Sequence, residues 1–141
     1  MILSYAFAIA IPMVLLYLIW SLEIYAFGKH RLLMLSFAWG MAMFLVALFV
    51  QDLLIDRQLI SYSQVVLFSA PVLEELLKAL LIIFLMQTMS LRYTVEGTTY
   101  GFAVGTGFAV IENLFYITIG ANAALADVLL RIFSVSLMHA F

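Results

Sequence analysis

The chain is 141 residues long, 67% hydrophobic and only 10% charged, with a net charge of -2 and a mean hydropathy of +1.22. A soluble domain of this size cannot bury so much apolar surface, because small domains keep a large surface for their volume; the composition points to an integral membrane protein. With no cysteine, disulfides, thiolate zinc sites and cysteine nucleophiles are excluded, and six thinly spread basic residues form no patch for nucleic acid.

A bilayer-spanning helix needs about 20 apolar residues, so the chain has room for about five spans and no separate soluble domain. The first apolar run extends from Ile2 to Phe27, with Pro12 inside it, where a bend or local break is expected. No Lys or Arg precedes Lys29, so this run reads as a span rather than a signal peptide. Gly28-Lys29-His30-Arg31 reads as a turn, and Leu32 to Val50 as the second span. Gln51 to Gln64 is the most polar stretch and reads as an interfacial segment, which closes an N-terminal part covering 1–64. The remainder, 65–141, carries the chemistry. Its first run is Val65 to Met89, followed by a loop from Ser90 to Thr99 in which Thr98 or Thr99 is placed to cap the next helix. The run from Tyr100 to Ile119 follows, then a small-residue turn from Gly120 to Asp127, and a last run that stops at Phe141 without a polar end. That ending predicts a truncated or split protein. The long runs lack the period-two alternation of a membrane barrel, so the fold class is all-α: a polytopic membrane helical bundle forming one transmembrane domain over 1–141. Lys29, Arg31 and Arg92 in the first and third loops predict that these face the cytoplasm.

Ionisable residues inside spans are expensive and usually face a bundle interior or a water-filled cavity. Glu74, Glu75, Lys78, Glu112 and Arg131 sit inside runs, joined by Asn113 and His139. Glu74 and Lys78 are i,i+4 and Glu75 and Lys78 are i,i+3, so one lysine faces two carboxylates. The excess carboxylate is suited to act as a general base. An intrahelical ion pair near the interface is the plainer reading of the same spacing. Gly101, Gly105 and Ala109 form a small-residue ridge, with Gly107 beside it, that predicts close helix packing and would carry Glu112 into the bundle. Arg131 and His139 lie about 80° apart around a helix, on one broad face. Arg131 is placed to balance a glutamate. His139 is placed to ligate a metal, act as a general acid or donate to an oxyanion. His30, Glu23, Asp52, Asp56, Arg57, Arg92 and Asp127 read as turn or interfacial residues, and Glu96 as part of the loop from Ser90 to Thr99.

Three stretches together resemble the motifs of a known family. Ala70-Pro71-Val72-Leu73-Glu74-Glu75-Leu76-Leu77-Lys78 is similar to the first motif of the PrsW family of intramembrane proteases. Glu96-Gly97 through Tyr100-Gly101, Gly105, Gly107-Phe108-Ala109 and Glu112-Asn113 is similar to the second, and Arg131 with His139 to the third. The family usually has Asp-Gly where this chain has Glu96-Gly97, and it continues into further helices with another histidine, whereas this chain stops two residues after His139. The resemblance implies cleavage of a membrane-anchored protein within or near the bilayer, such as regulated proteolysis of an anti-sigma factor, by a multi-pass protein of a prokaryotic plasma membrane. It implies Glu74 or Glu75 as base, with Glu74 favoured, and Glu75 orienting it or holding the metal or the water. His139 would be metal ligand or oxyanion donor, with Glu112 and Asn113 completing the site and Lys78 and Arg131 balancing charge. Two mechanisms follow, a zinc-activated water and a glutamate-activated water, and the glutamate-rich residue set favours the second. The competing classes are an ion- or proton-coupled transporter subunit, against which stands the lack of inverted halves, and a non-catalytic membrane assembly protein.

Overall fold

A computed structural model describes residues 2–22, 30–88, 94–120 and 125–140. Five long helices and two short helical segments make up these residues, with no strand among them: α1 (Ile2–Leu22), α2 (His30–Asp56), α3 (Tyr62–Gln64), a π-helical turn (Val65–Ser69), α4 (Ala70–Gln87), α5 (Thr94–Ile119) and α6 (Leu125–Ala140). Glu23, the Gly28-Lys29 part of the expected first turn, Ser90 to Arg92, and Ala121 to Ala124 lie outside the described residues.

Several elements depart from the hydropathy pattern for local reasons. Helix α1 runs through Pro12 unbroken, with the proline ring buried against its neighbours. Helix α2 continues past Val50 to Asp56, taking up the first part of the segment expected at the interface. It ends in a Schellman closure: Leu59 N–H reaches Leu54 O, Gln58 N–H reaches Ile55 O, and Gln58 takes the left-handed φ of 54° that this cap requires. Ser61 and Gln64 then form a reciprocal capping box. The π-helical turn directly precedes Pro71. Proline has no N–H to offer and its ring crowds the carbonyl four residues back, so a widened turn relieves both problems and resets the rotation of α4. Helix α5 begins at Thr94, so Thr98 and Thr99 lie inside it and neither is the expected cap. Glu96, expected in the loop before this helix, is buried in its first turn, where the helix dipole favours a carboxylate.

Helix α5 is the hub, touching α1, α2, α4 and α6, and every residue from Phe102 to Val110 is buried. Its closest approach is to α2. A Cβ on Gly40 would collide with the Val104 carbonyl and lie 2.9 Å from Phe108 N, and one on Gly107 would collide with the Phe37 carbonyl. Gly107 thus meets the packing expectation, and Gly105 is buried. Gly101 does not pack: an added Cβ there meets nothing within 4 Å. Phe44 and Phe108 stack edge to face at 5.3 Å across the same interface.

Polarity is distributed inside out relative to a soluble bundle. Met34, Phe49, Phe84, Leu130 and Met138 are exposed, while Ser36, Lys78, Thr106, Asn113 and Ser136 are buried. Three buried hydroxyls satisfy themselves on the preceding turn, Ser36 on Leu32 O, Thr106 on Phe102 O and Ser136 on Ile132 O. This is the arrangement of an integral membrane protein, whose outer surface meets hydrocarbon. Helices α1, α2 and α5 are long and apolar enough to cross a bilayer. Helix α4, with 18 residues, carries Glu74, Glu75 and Lys78, and α6 has 16 residues. The two shorter helices bear most of the charge of the site.

Candidate active site

The expected charged residues meet at one place, where α4, α5 and α6 come together. On α4, Lys78 is buried while the Glu75 side chain remains 69% exposed, and the Lys78 ammonium donates to Glu75 Oε1 at 2.5 Å. The same ammonium lies 2.7 Å from His139 Nδ1 on α6. His139 Nε2 is 2.6 Å from Glu112 Oε2 on α5, and the Arg131 guanidinium donates to Glu112 Oε1 at 3.2 Å. The result is a continuous line of contacts, Glu75–Lys78–His139–Glu112–Arg131, drawn from three helices. Phe108 supports it from below: its ring lies 4.9 Å from the His139 ring, and the Lys78 ammonium sits 4.5 Å over it. Arg131 stacks on the Tyr116 ring at 3.7 Å.

These contacts assign the state of His139. Nδ1 faces an ammonium, which can only donate, so Nδ1 must accept. Nε2 faces a carboxylate, so it must carry the proton. His139 is therefore a neutral imidazole held as the Nε2–H tautomer by Glu112, the arrangement in which a buried acid fixes a histidine's orientation and tautomer. Glu75 pairs with Lys78 and Glu112 with Arg131, while Glu74 forms no ion pair among the described residues.

The two adjacent glutamates part company. Glu74 turns toward α2 and accepts from Gln51 Nε2 at 3.2 Å, while remaining within electrostatic reach of Glu112, His139 and Lys78. Glu75 turns into a cleft of about 340 Å³ that it shares with Lys78, Thr98, Gly101 and His139. The open space at Gly101 is part of this cleft, which explains why the glycine does not pack. At roughly 30 Å³ per molecule, the cleft holds several waters. Asn113, expected to complete the site with Glu112, points instead to α6 and donates to Ser136 Oγ at 3.5 Å.

The donor set does not suit a metal ion. Both ring nitrogens of His139 are engaged, and a lysine ammonium occupies the middle of the cluster, where a cation would be repelled. Among the described residues no group of three or more His, Cys, Asp or Glu side chains is placed to hold a metal.

Three contributors escaped the sequence reading. Gln51 was placed at the interface; the apolar Leu53-Leu54-Ile55 after it was the signal that α2 continues. Ser136 lies three residues before His139 and so shares its side of α6, a spacing that could have been read. Phe108 falls within the second motif of the resemblance, but its contact with His139 and Lys78 is visible only in the structure.

The family model described as PrsW family intramembrane metalloprotease covers residues 28–141. No curated protein and no solved structure matches.

Proposed function

The chain belongs to the PrsW family of intramembrane proteases, and on that premise we propose that it hydrolyses a peptide bond of a membrane-anchored protein with water activated in the Glu75–Lys78–His139 cleft. The observation that carries this reading is the line of contacts from Glu75 to Arg131, drawn from three helices, with Lys78, His139 and Glu112 buried or nearly so and Glu75 exposed in the cleft of about 340 Å³.

Each residue has a definite task. Glu75 takes a proton from water in the cleft, and the hydroxide so formed adds to the scissile carbonyl carbon. The Lys78 ammonium has three N–H groups; two are engaged by Glu75 and His139, and the third is available to the oxygen that becomes negatively charged. Collapse of the tetrahedral species breaks the C–N bond, and the proton held by Glu75 passes to the departing amine. His139 holds Lys78 in place through Nδ1, and Glu112 with Arg131 keeps His139 in the required tautomer. Glu74, anchored by Gln51, stands beside the cluster on its α2 side. This assigns to Glu75 the role that the sequence favoured for Glu74, because Glu75 is the glutamate that shares the cleft with Lys78 and His139. The family description implies a metal, but the described donor set does not fit one, and no step is routed through it.

The setting we propose is a multi-pass protein of a prokaryotic plasma membrane, acting in regulated proteolysis such as cleavage of an anti-sigma factor. The test is co-expression with an epitope-tagged, membrane-anchored candidate substrate. Cleavage is expected from the native chain and is expected to be lost in Glu75→Gln and His139→Ala. Cleavage that persists in these variants and in Glu74→Gln overturns the reading.

A further inference from the structure

Glycine is the poorest helix former apart from proline, because it loses the most backbone freedom on folding. At Gly40 and Gly107 the close approach of α2 and α5 offsets that cost. Gly101 has no such compensation: a Cβ there meets nothing within 4 Å, and none of the described glycines has a positive φ that would demand the residue type. What Gly101 contributes instead is open space, and that space belongs to the cleft of about 340 Å³ beside Lys78 and His139.

The cleft joins the reacting groups to an apolar lining. On α5, Thr98, Gly101 and Val104 border it at i, i+3 and i+6, so they share one face and Gly101 lies between two residues that line the same space. On α4, Ala79 and Ile82 continue the face that carries Glu75 and Lys78, at i+4 and i+7 from Glu75. Beside the charged groups there is thus room walled by Ala79, Ile82, Gly101 and Val104. In a peptide, the side chain on the carbonyl side of a bond sits on the carbon directly attached to the reacting carbonyl. When that carbonyl reaches the Lys78 ammonium, its side chain must find room within one residue's length of Lys78. Ala79 is the next residue along α4, and Ile82 is about one turn further on. An apolar side chain gains by leaving water for such walls, and a polar one does not.

We propose that the open space at Gly101 is the specificity pocket of the cleft and receives a large apolar side chain, of leucine or phenylalanine type, from the substrate residue on the carbonyl side of the cleaved bond. Gly101 sets the size limit from α5, and Ala79 and Ile82 set it from α4. The proposal rests on the protease reading of Glu75, Lys78 and His139. It gives Gly101 a task in substrate selection in place of the helix packing expected from its spacing.

The test uses the full chain in proteoliposomes with a membrane-anchored reporter whose cut bond is located by mass spectrometry. Four versions of the reporter carry Ala, Val, Leu or Phe on the carbonyl side of that bond. The native chain should favour Leu and Phe over Ala by about tenfold or more in kcat/KM, since even one methylene in an apolar pocket is worth about tenfold or more. Gly101→Val fills the pocket from α5 and should lower kcat/KM for the Leu and Phe reporters about tenfold or more, while the Ala reporter stays within about threefold. Ala79→Leu fills it from α4 and should act in the same direction. Valine is no worse a helix former than glycine, so Gly101→Val should keep the native SDS unfolding midpoint. Equal cleavage of the four reporters by the native chain overturns the proposal, and that comparison needs no variant to fold. An unchanged preference in both filled variants also overturns it. So does loss of all four reporters in a variant of native helix content, which would show that the space serves the attacking water rather than a side chain. These three results leave the protease reading intact. No cleavage of any reporter by the native chain would defeat that reading, and the pocket with it.

Discussion

Substituting alanine at three glycines should give opposite results according to what each glycine faces. At Gly40 the new Cβ would meet the backbone of α5, with Val104 C at 2.8 Å and Phe108 N at 2.9 Å, where ordinary contact begins near 3.4 Å. At Gly107 it would meet the backbone of α2, with Phe37 C at 2.9 Å. Backbone atoms cannot rotate away, so α2 and α5 must part by something over half an ångström. Gaps of about 0.5–1 Å forfeit a quarter to a half of each dispersion contact, and this interface includes the Phe44–Phe108 stack. Overpacking of this kind costs about 1–3 kcal/mol, against which alanine returns up to about 1 kcal/mol of helix propensity. Gly40→Ala and Gly107→Ala should therefore be destabilising by about 1–2 kcal/mol on balance. Gly101→Ala meets nothing and keeps only the propensity gain, so it should be neutral or stabilising by up to about 1 kcal/mol. Reversible unfolding of the purified protein in mixed micelles by SDS titration, followed by circular dichroism, measures all three. Equal effects at Gly40 and Gly101, or destabilisation confined to Gly101, would refute the assignment of α2 against α5 as the tight interface.

Other predictions concern the site. Glu112→Gln puts an amide donor against either His139 Nε2–H or the Arg131 guanidinium and disturbs the tautomer; by analogy with acid-to-amide changes in catalytic triads, the cleavage rate should fall by up to about 10⁴-fold. A rate within threefold of native would remove Glu112 from the mechanism. Gln51→Leu leaves the Glu74 oxygen without its donor and should lower stability by about 1–3 kcal/mol; an unchanged SDS unfolding midpoint would show that the bond does not matter. Exhaustive chelation followed by metal analysis should leave cleavage intact, and loss of cleavage restored by zinc would show that ligands outside the described set complete a metal centre.

The helical bundle was legible from hydropathy, because long apolar runs have few alternatives in lipid. The charged residues were also legible, since a carboxylate inside such a run needs a reason to be there. What local pattern could not supply was rotation and partnership. Glu74 and Glu75 differ by about 100° around α4, and the π-helical turn before Pro71 shifts the rotation of that helix; the proline marks the place, but hydropathy does not give the size of the shift. The spacing of Gly101, Gly105 and Ala109 suggested a packing ridge, yet the closest backbone approaches involve Gly40 and Gly107, because those glycines face each other's helix. The polar residues Gln51 and Glu96 marked apparent helix ends, but each lies within a helix that continues past it and has its side chain turned inward. Asn113 sits beside Glu112 in sequence, and the same 100° step sends it to a different partner on α6.

The most direct test of the account is hydrolysis by the purified chain in proteoliposomes containing a membrane-anchored reporter, carried out in ¹⁸O-labelled water and read by mass spectrometry. The account predicts a new carboxylate carrying the label, formed by the native chain and absent with Glu75→Gln and His139→Ala proteins of native helix content. Labelled product formed at the native rate by both variants would contradict it.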